Sequence, residues 1–204
     1  MSLLTRCRSV WTRILLRGVH YGDRHRQLDI LYRVRDPWGL DCDRERVRFE
    51  ATNGIIRREF DAVGSILELG CGEGLQSAYL SAICNRLYGI DVSSVAVKRA
   101  RERCPSATFE VGDVTEFDQV GGRRKFDLVV GCEILYYVKN VQQFLDRMSE
   151  FGNACLITYY AAQREHLDPE IARRHGVKLE SIRYEETEWV VAWWVNTRAP
   201  GQAT

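Results

Sequence analysis

The stretch Ser65-Ile66-Leu67-Glu68-Leu69-Gly70-Cys71-Gly72-Glu73-Gly74 decides how this chain folds. Its first five residues are an apolar run broken only by Glu68, the pattern of a buried strand, and the glycines that follow mark a sharp turn. An amphipathic segment opens at Leu75, so the turn stands between a strand and a helix, the setting that a nucleotide-binding glycine loop requires. Glycines at alternate positions let the backbone turn tightly and lie against a ligand where a Cβ would collide. The spacing is G-x-G-x-G, whereas a dinucleotide fold wants G-x-G-x-x-G and a helix N-terminus left free for a pyrophosphate. Glu68 and Glu73, one on each side of the turn, would repel a pyrophosphate and suit a ligand that is cationic at its centre.

Outward from this loop, further strands are expected at residues 86–90, 108–111, 127–131 and 154–159, separated by helices at 75–83, 93–103 and 141–151. Alternation of strand and helix calls for parallel strands with right-handed crossovers. Two β-rich runs at 181–184 and 189–195, joined by the acidic turn Glu185-Glu186-Thr187-Glu188, leave no room for a helix and predict a terminal antiparallel hairpin. The sum is an α/β fold: a Rossmann-like, doubly wound, seven-stranded sheet, mostly parallel. A helix over residues 44–60 leads into it. Residues 1–62 are expected to form an N-terminal helical segment, 63–198 the core and 199–204 a tail.

Two carboxylates raise the value of the glycine loop. Asp91 ends the second strand in Gly89-Ile90-Asp91, where it can accept hydrogen bonds from both hydroxyls of an adenosine ribose. Gly112-Asp113-Val114 follows the third strand, positioned to offer a carboxylate to an adenine amino group while apolar atoms cover the ring. On this reading, replacing Asp91 by alanine weakens ligand binding and leaves the fold intact.

The 29 basic and 28 acidic residues give a formal charge of +1, so no global field would hold a nucleic acid. The seven cysteines are odd in number and scattered, without C-x-x-C or Cys/His spacing, which predicts no metal site and a reduced, cytoplasmic setting. No apolar run approaches the length of a membrane span. The first twenty-two residues carry Arg6, Arg8, Arg13 and Arg17 around Val10, Trp11 and Ile14. They read first as a short helix packing its apolar side on the domain, with a basic transit or membrane-surface segment as the alternative.

The motifs E-L-G-C-G-E-G, G-I-D, G-D-V and Phe126-Asp127-Leu128-Val129-Val130-Gly131-Cys132-Glu133 together resemble those of class I S-adenosylmethionine-dependent methyltransferases, over residues 65–195. The resemblance implies that Glu68, Gly70, Cys71, Gly72 and Gly74 cradle the amino-acid end of the cofactor. It implies that Asp91 takes the ribose, with Val92 beside it in the binding set, that Asp113 and Val114 meet the adenine, and that Cys132 and Glu133 lie near the sulfonium. A narrower likeness, carried by Asp36-Pro37-Trp38-Gly39, Arg48-Phe49 and Glu133-Ile134-Leu135-Tyr136-Tyr137-Val138, is to the nodulation-type N-methyltransferases, which act on the amine of a chitooligosaccharide. It implies a lid carrying Trp38, with Arg48 pairing the cofactor carboxylate, and it begins at Arg35.

Methyl transfer from a sulfonium needs a nucleophile held in line and water kept out. An amine must first lose a proton, for which Glu133, Tyr136 or Tyr137 is the candidate acceptor. Aromatic residues after a buried strand are as often core, and that alternative stands beside the catalytic one. The histidines fall in no recognisable base motif, which favours amine over hydroxyl chemistry. Cys71 and Cys132 read as small apolar fillers. Trp189, Trp193 and Trp194 alternate imperfectly, so some of them are expected near the surface. The expected cofactor is S-adenosyl-L-methionine, with S-adenosyl-L-homocysteine as product and no metal. The expected acceptor is a small molecule, an amino sugar among the candidates, and the chain is expected to act as a monomer or homodimer. An O-methyltransferase, a non-catalytic cofactor-binding module and a macromolecule methyltransferase are the competing functions.

Overall fold

In β1 (Ser65–Leu69), Ile66 and Leu67 point to opposite sides and both are fully buried, so the strand that feeds the glycine loop is covered on two faces. The computed structural model describes residues 25–113 and 125–196. In chain order its elements are α1 (His25–Leu31), α2 (Asp43–Glu59), β1, α3 (Leu75–Leu80), β2 (Arg86–Asp91), α4 (Ser94–Arg103), β3 (Thr108–Val111), β4 (Phe126–Cys132), α5 (Val141–Phe151), β5 (Gly152–Tyr160), α6 (Arg164–Ile171), β6 (Lys178–Tyr184) and β7 (Thr187–Val195). The sheet order is β3-β2-β1-β4-β5-β7-β6. The first five strands are parallel, and β7 runs against both of its neighbours.

One face packs Ile55 and Ile56 of α2 and Leu80 of α3 against Ile66, Leu128 and Trp189. The other packs Phe144, Leu145 and Met148 of α5 and Leu167 and Ile171 of α6 against Leu67, Val129 and Val190. Because α2 shares its core with the sheet, the boundary at residue 62 marks a change of secondary structure within one packed unit. The expectations for the N-terminal basic segment and for the tail fall outside the described residues.

Side-chain caps set two helix starts. Ser93 Oγ accepts the Ala96 amide at 3.3 Å and Asn140 Oδ1 the Gln143 amide at 3.1 Å. The helix expected over 75–83 ends at Leu80, and its last residues tighten into i→i+3 bonds, Ala82 to Tyr79 and Ile83 to Leu80. The hairpin strands are longer than expected. Tyr184 pairs with Thr187, so Glu185 and Glu186 alone make the turn, with Glu185 at φ +50°.

All three tryptophans of β7 are buried, contrary to the expectation that some reach the surface. The strand lies between β5 and β6 with helices on both sides. Trp189 and Trp193 therefore join one core and Trp194 the other, where its Nε1 donates to Ser149 Oγ at 3.1 Å.

Candidate cofactor and acceptor cleft

The loop after β1 is tied to β2 by the Gly70 and Cys71 amides, which donate to the Ile90 carbonyl at 2.8 and 2.9 Å. Gly70, Gly72 and Gly74 have φ of +73°, +52° and +78°, the region that favours glycine. Their missing side chains serve different neighbours. A Cβ on Gly70 would stand 2.7 Å from Ile134 Cδ1, one on Gly72 3.0 Å from the Tyr32 hydroxyl, and one on Gly74 3.0 Å from Ala100 Cα.

Asp91 is buried at the end of β2, where Oδ2 accepts the Gly72 amide and Oδ1 the Ser93 amide, both at 2.9 Å. The carboxylate thus pins the glycine loop to the start of α4.

Loop and strand ends open on one cleft of about 840 Å³, within the usual range for small-molecule sites. It is lined by Trp38, Arg48, Glu68, Gly70, Cys71, Gly72, Asp91, Val92, Asp113, Cys132, Glu133, Tyr136 and Tyr137, so these residues, distant in sequence, are brought together. Gly74 is not in the wall, because it faces α4. Val114 lies outside the described residues. Among the described residues there is no cluster of His, Cys, Asp and Glu suited to a metal, and no helix long and apolar enough to cross a membrane.

The two glutamates that flank the loop do not put free negative charge on either side of it, as the sequence suggested. Burial pushes the Glu68 carboxyl up to about 8, against a hydrogen bond donated by Ser77, so it is largely protonated at neutral pH. Glu73 forms an ion pair with Arg99 and accepts the Asp36 amide at 2.7 Å, which ties the D-P-W segment to the loop. Trp38 donates from Nε1 to the Tyr32 hydroxyl at 3.1 Å, and its ring lies 5.5 Å from that of Tyr137.

Arg48 reaches the cleft, but its charge is already matched. It is 2% exposed; Nε donates to Glu45 Oε2 at 2.8 Å and Nη1 to Gln76 Oε1 at 3.1 Å and Thr158 Oγ1 at 3.3 Å. Glu133, just past β4, has φ +57°, and its Oε1 accepts the Thr158 hydroxyl at 2.8 Å and its Oε2 the Tyr136 hydroxyl at 2.9 Å. Burial raises the Glu133 carboxyl while Arg48 and the two hydroxyls oppose that rise. Burial also holds the Cys132 thiol up at about 11 and raises that of Cys71, so both are neutral, as small fillers should be.

The structure adds residues that the sequence did not flag. Tyr32, Gln76, Tyr160 and His166 all line the cleft. For His166 a signal existed: it follows the C-terminal end of β5, and ligands in open α/β sheets bind beyond the strand ends. The others arrive through tertiary packing alone.

Comparison with known proteins follows the same lines. The family model described as Nodulation protein S (NodS) matches residues 22–153, beginning upstream of Arg35, where the sequence likeness was placed. Nodulation protein S of Bradyrhizobium diazoefficiens is 32% identical over 120 residues, covering 58% of this chain and 57% of the relative. A dTDP-3-amino-3,4,6-trideoxy-alpha-D-glucopyranose N,N-dimethyltransferase of Streptomyces venezuelae is 26% identical over 116 residues, 56% of this chain and 43% of the relative. The chain spans about half the length of the curated relatives it matches. Among solved structures, N-methyltransferase NodS from Bradyrhizobium japonicum WM9 in complex with S-adenosyl-L-homocysteine superposes with a TM-score of 0.69. It is 23% identical, and the match covers 85% of this chain and 98% of that one.

Proposed function

The chain belongs to the nodulation protein S family, and on that premise we propose that it transfers a methyl group from S-adenosylmethionine to the amine of a sugar or sugar-like small molecule, releasing S-adenosylhomocysteine. The observation that carries this reading is one cleft lined both by Asp91, bonded to the glycine loop, and by the Glu133–Tyr136 pair. The lining suits the cofactor: Gly70, Cys71 and Gly72 bring a backbone turn without bulky side chains to the cleft, beside the buried carboxylate of Asp91, a group that accepts hydrogen bonds from hydroxyls.

Gly70, Cys71 and Gly72 would hold the amino-acid end, Asp91 and Val92 the ribose and Asp113 the adenine, with Cys132 and Glu133 toward the reacting centre. When bound, the cofactor supplies a methyl group made electrophilic by its sulfonium. Glu133 takes the proton of the acceptor ammonium, and Tyr136 orients that carboxylate through its 2.9 Å hydrogen bond. Trp38 and Tyr137, in ring contact, close the cleft against water. The matched charge of Arg48 favours a role inside the wall over pairing with the cofactor carboxylate. The described cysteines are all unpaired, which supports a reducing, cytoplasmic setting.

Isothermal calorimetry with S-adenosylmethionine and S-adenosylhomocysteine, and a nicotinamide dinucleotide as control, tests the cofactor. Binding of the two sulfur compounds alone is expected, and binding of neither would overturn the assignment. A panel of amino sugars and hydroxylated acceptors then tests the chemistry. His166 on the cleft wall offers the base that a hydroxyl acceptor needs and favours O-methylation as the second reading. Exclusive oxygen methylation would replace the first reading with it.

A further inference from the structure

We propose that Thr158, with Arg48 behind it, is a positioning residue that holds Glu133 in the cleft wall as an ionised carboxylate which only accepts hydrogen bonds, ready for a cationic amine. Its part in methyl transfer rests on the function proposed above.

The argument turns on the direction of protons. A guanidinium has donors only, so where Arg48 Nη1 meets Thr158 Oγ1 the hydroxyl must accept. Its single proton is left to point onward, and it does so into Glu133 Oε1 at 2.8 Å. The second arm is built the same way. The Tyr160 amide donates to the Tyr136 hydroxyl, whose proton is then directed to Glu133 Oε2 at 2.9 Å. Each oxygen of Glu133 therefore receives a hydrogen bond whose sense is set by a donor that cannot reverse. Thr158 also grips the backbone: its carbonyl accepts the Glu133 amide at 3.0 Å, holding the residue at φ +57°.

Thr158 is fully buried, where a hydroxyl is tolerated only with its bonds made. The charged and titratable groups facing Glu133 are Glu45 and Arg48 from α2, paired at 2.8 Å, then Cys132, Tyr136 and Tyr137 from its own turn, and Tyr160 from β5. His166 lines the same cleft. Arg48, although paired with Glu45, and the two directed hydroxyls together offset the burial of Glu133.

The test is a carbon-13 NMR titration of the glutamate carboxyls, with Glu133→Gln identifying the resonance. Thr158→Val keeps the shape, the carbonyl and the strand preference but removes the relay, and Thr158→Ser restores it. Wild-type Glu133 is expected to be ionised at about pH 7, Thr158→Val to raise its midpoint by about one pH unit, and Thr158→Ser to return it. Tyr136→Phe, on the cleft wall, probes the second arm and is expected to raise the midpoint similarly if Thr158→Val does not fold. A wild-type Glu133 protonated at neutral pH, or a midpoint unmoved by either substitution, would overturn the proposal. Wild-type protein that methylates no amine while these shifts are seen would sink the proposed function and leave the positioning role standing.

Discussion

Replacing Glu68 by glutamine isolates the cost of a carboxyl buried under the glycine loop. Burial is the largest cause of its displacement and Asp91 adds to it, while Ser77 and Arg48 act against it; the result is a carboxyl at about 8 instead of 4.5. Between those values the unfolded chain has lost the proton and the folded chain retains it, so stability falls as pH rises through that window. At about 1.36 kcal/mol per pH unit the gap corresponds to about 5 kcal/mol, accumulated between pH 4.5 and about 8. Glutamine carries no charge at any pH and mimics the protonated acid. The variant should therefore match the wild type to within about 1 kcal/mol near pH 5 and exceed it by about 3–5 kcal/mol near pH 8.5. For a chain of this length the latter is about 6–20 °C in Tm. Denaturant unfolding followed by circular dichroism, run on both proteins at both pH values, measures the difference. A stability difference that does not change with pH would mean that Glu68 is ionised in the fold, and would refute the electrostatic account of the cleft.

If the cleft takes a sulfonium, binding at about pH 7 should drive a proton off Glu68. Calorimetry in buffers of different ionisation enthalpy should show that release with S-adenosylmethionine, less of it with S-adenosylhomocysteine and none in Glu68→Gln; buffer-independent enthalpies would count against it. Asp91→Ala should lower both cofactor affinity and Tm, because two amide-to-carboxylate bonds of about 1.5–3 kcal/mol each are lost from the loop. The sequence reading expected an intact fold, and an unchanged Tm would restore it. Gly74→Ala should destabilise by about 1–3 kcal/mol, from its positive φ and the approach to Ala100, and disturb cofactor affinity less than Gly70→Ala does. Equal thermal stability to wild type would refute the packing role given to Gly74.

The local features of this fold were legible in the chain. A strand, a turn of alternate glycines and a helix are each specified by neighbouring residues, so the loop and Asp91 at the next strand end were found where the structure has them, and the acidic hairpin turn was found with two residues too many. Alternation also predicts parallel strands, since a helix between two strands has room to cross back. What tertiary structure alone decided is the choice of partners. Glu73 read as free charge until Arg99 and Asp36 came to it, and the fold alone shows Arg48 paired with Glu45 and the open side of Gly74 turned to Ala100. The tryptophans of β7 read as half-exposed because a hairpin at the end of a chain suggests an edge, whereas this strand sits between β5 and β6. The relay from Arg48 through Thr158 to Glu133 joins residues 110 positions apart on its first step. Periodicity and turn chemistry act over a few residues, and the protonation and hydrogen-bond direction of a buried group depend on whatever the fold brings within about 3 Å of it.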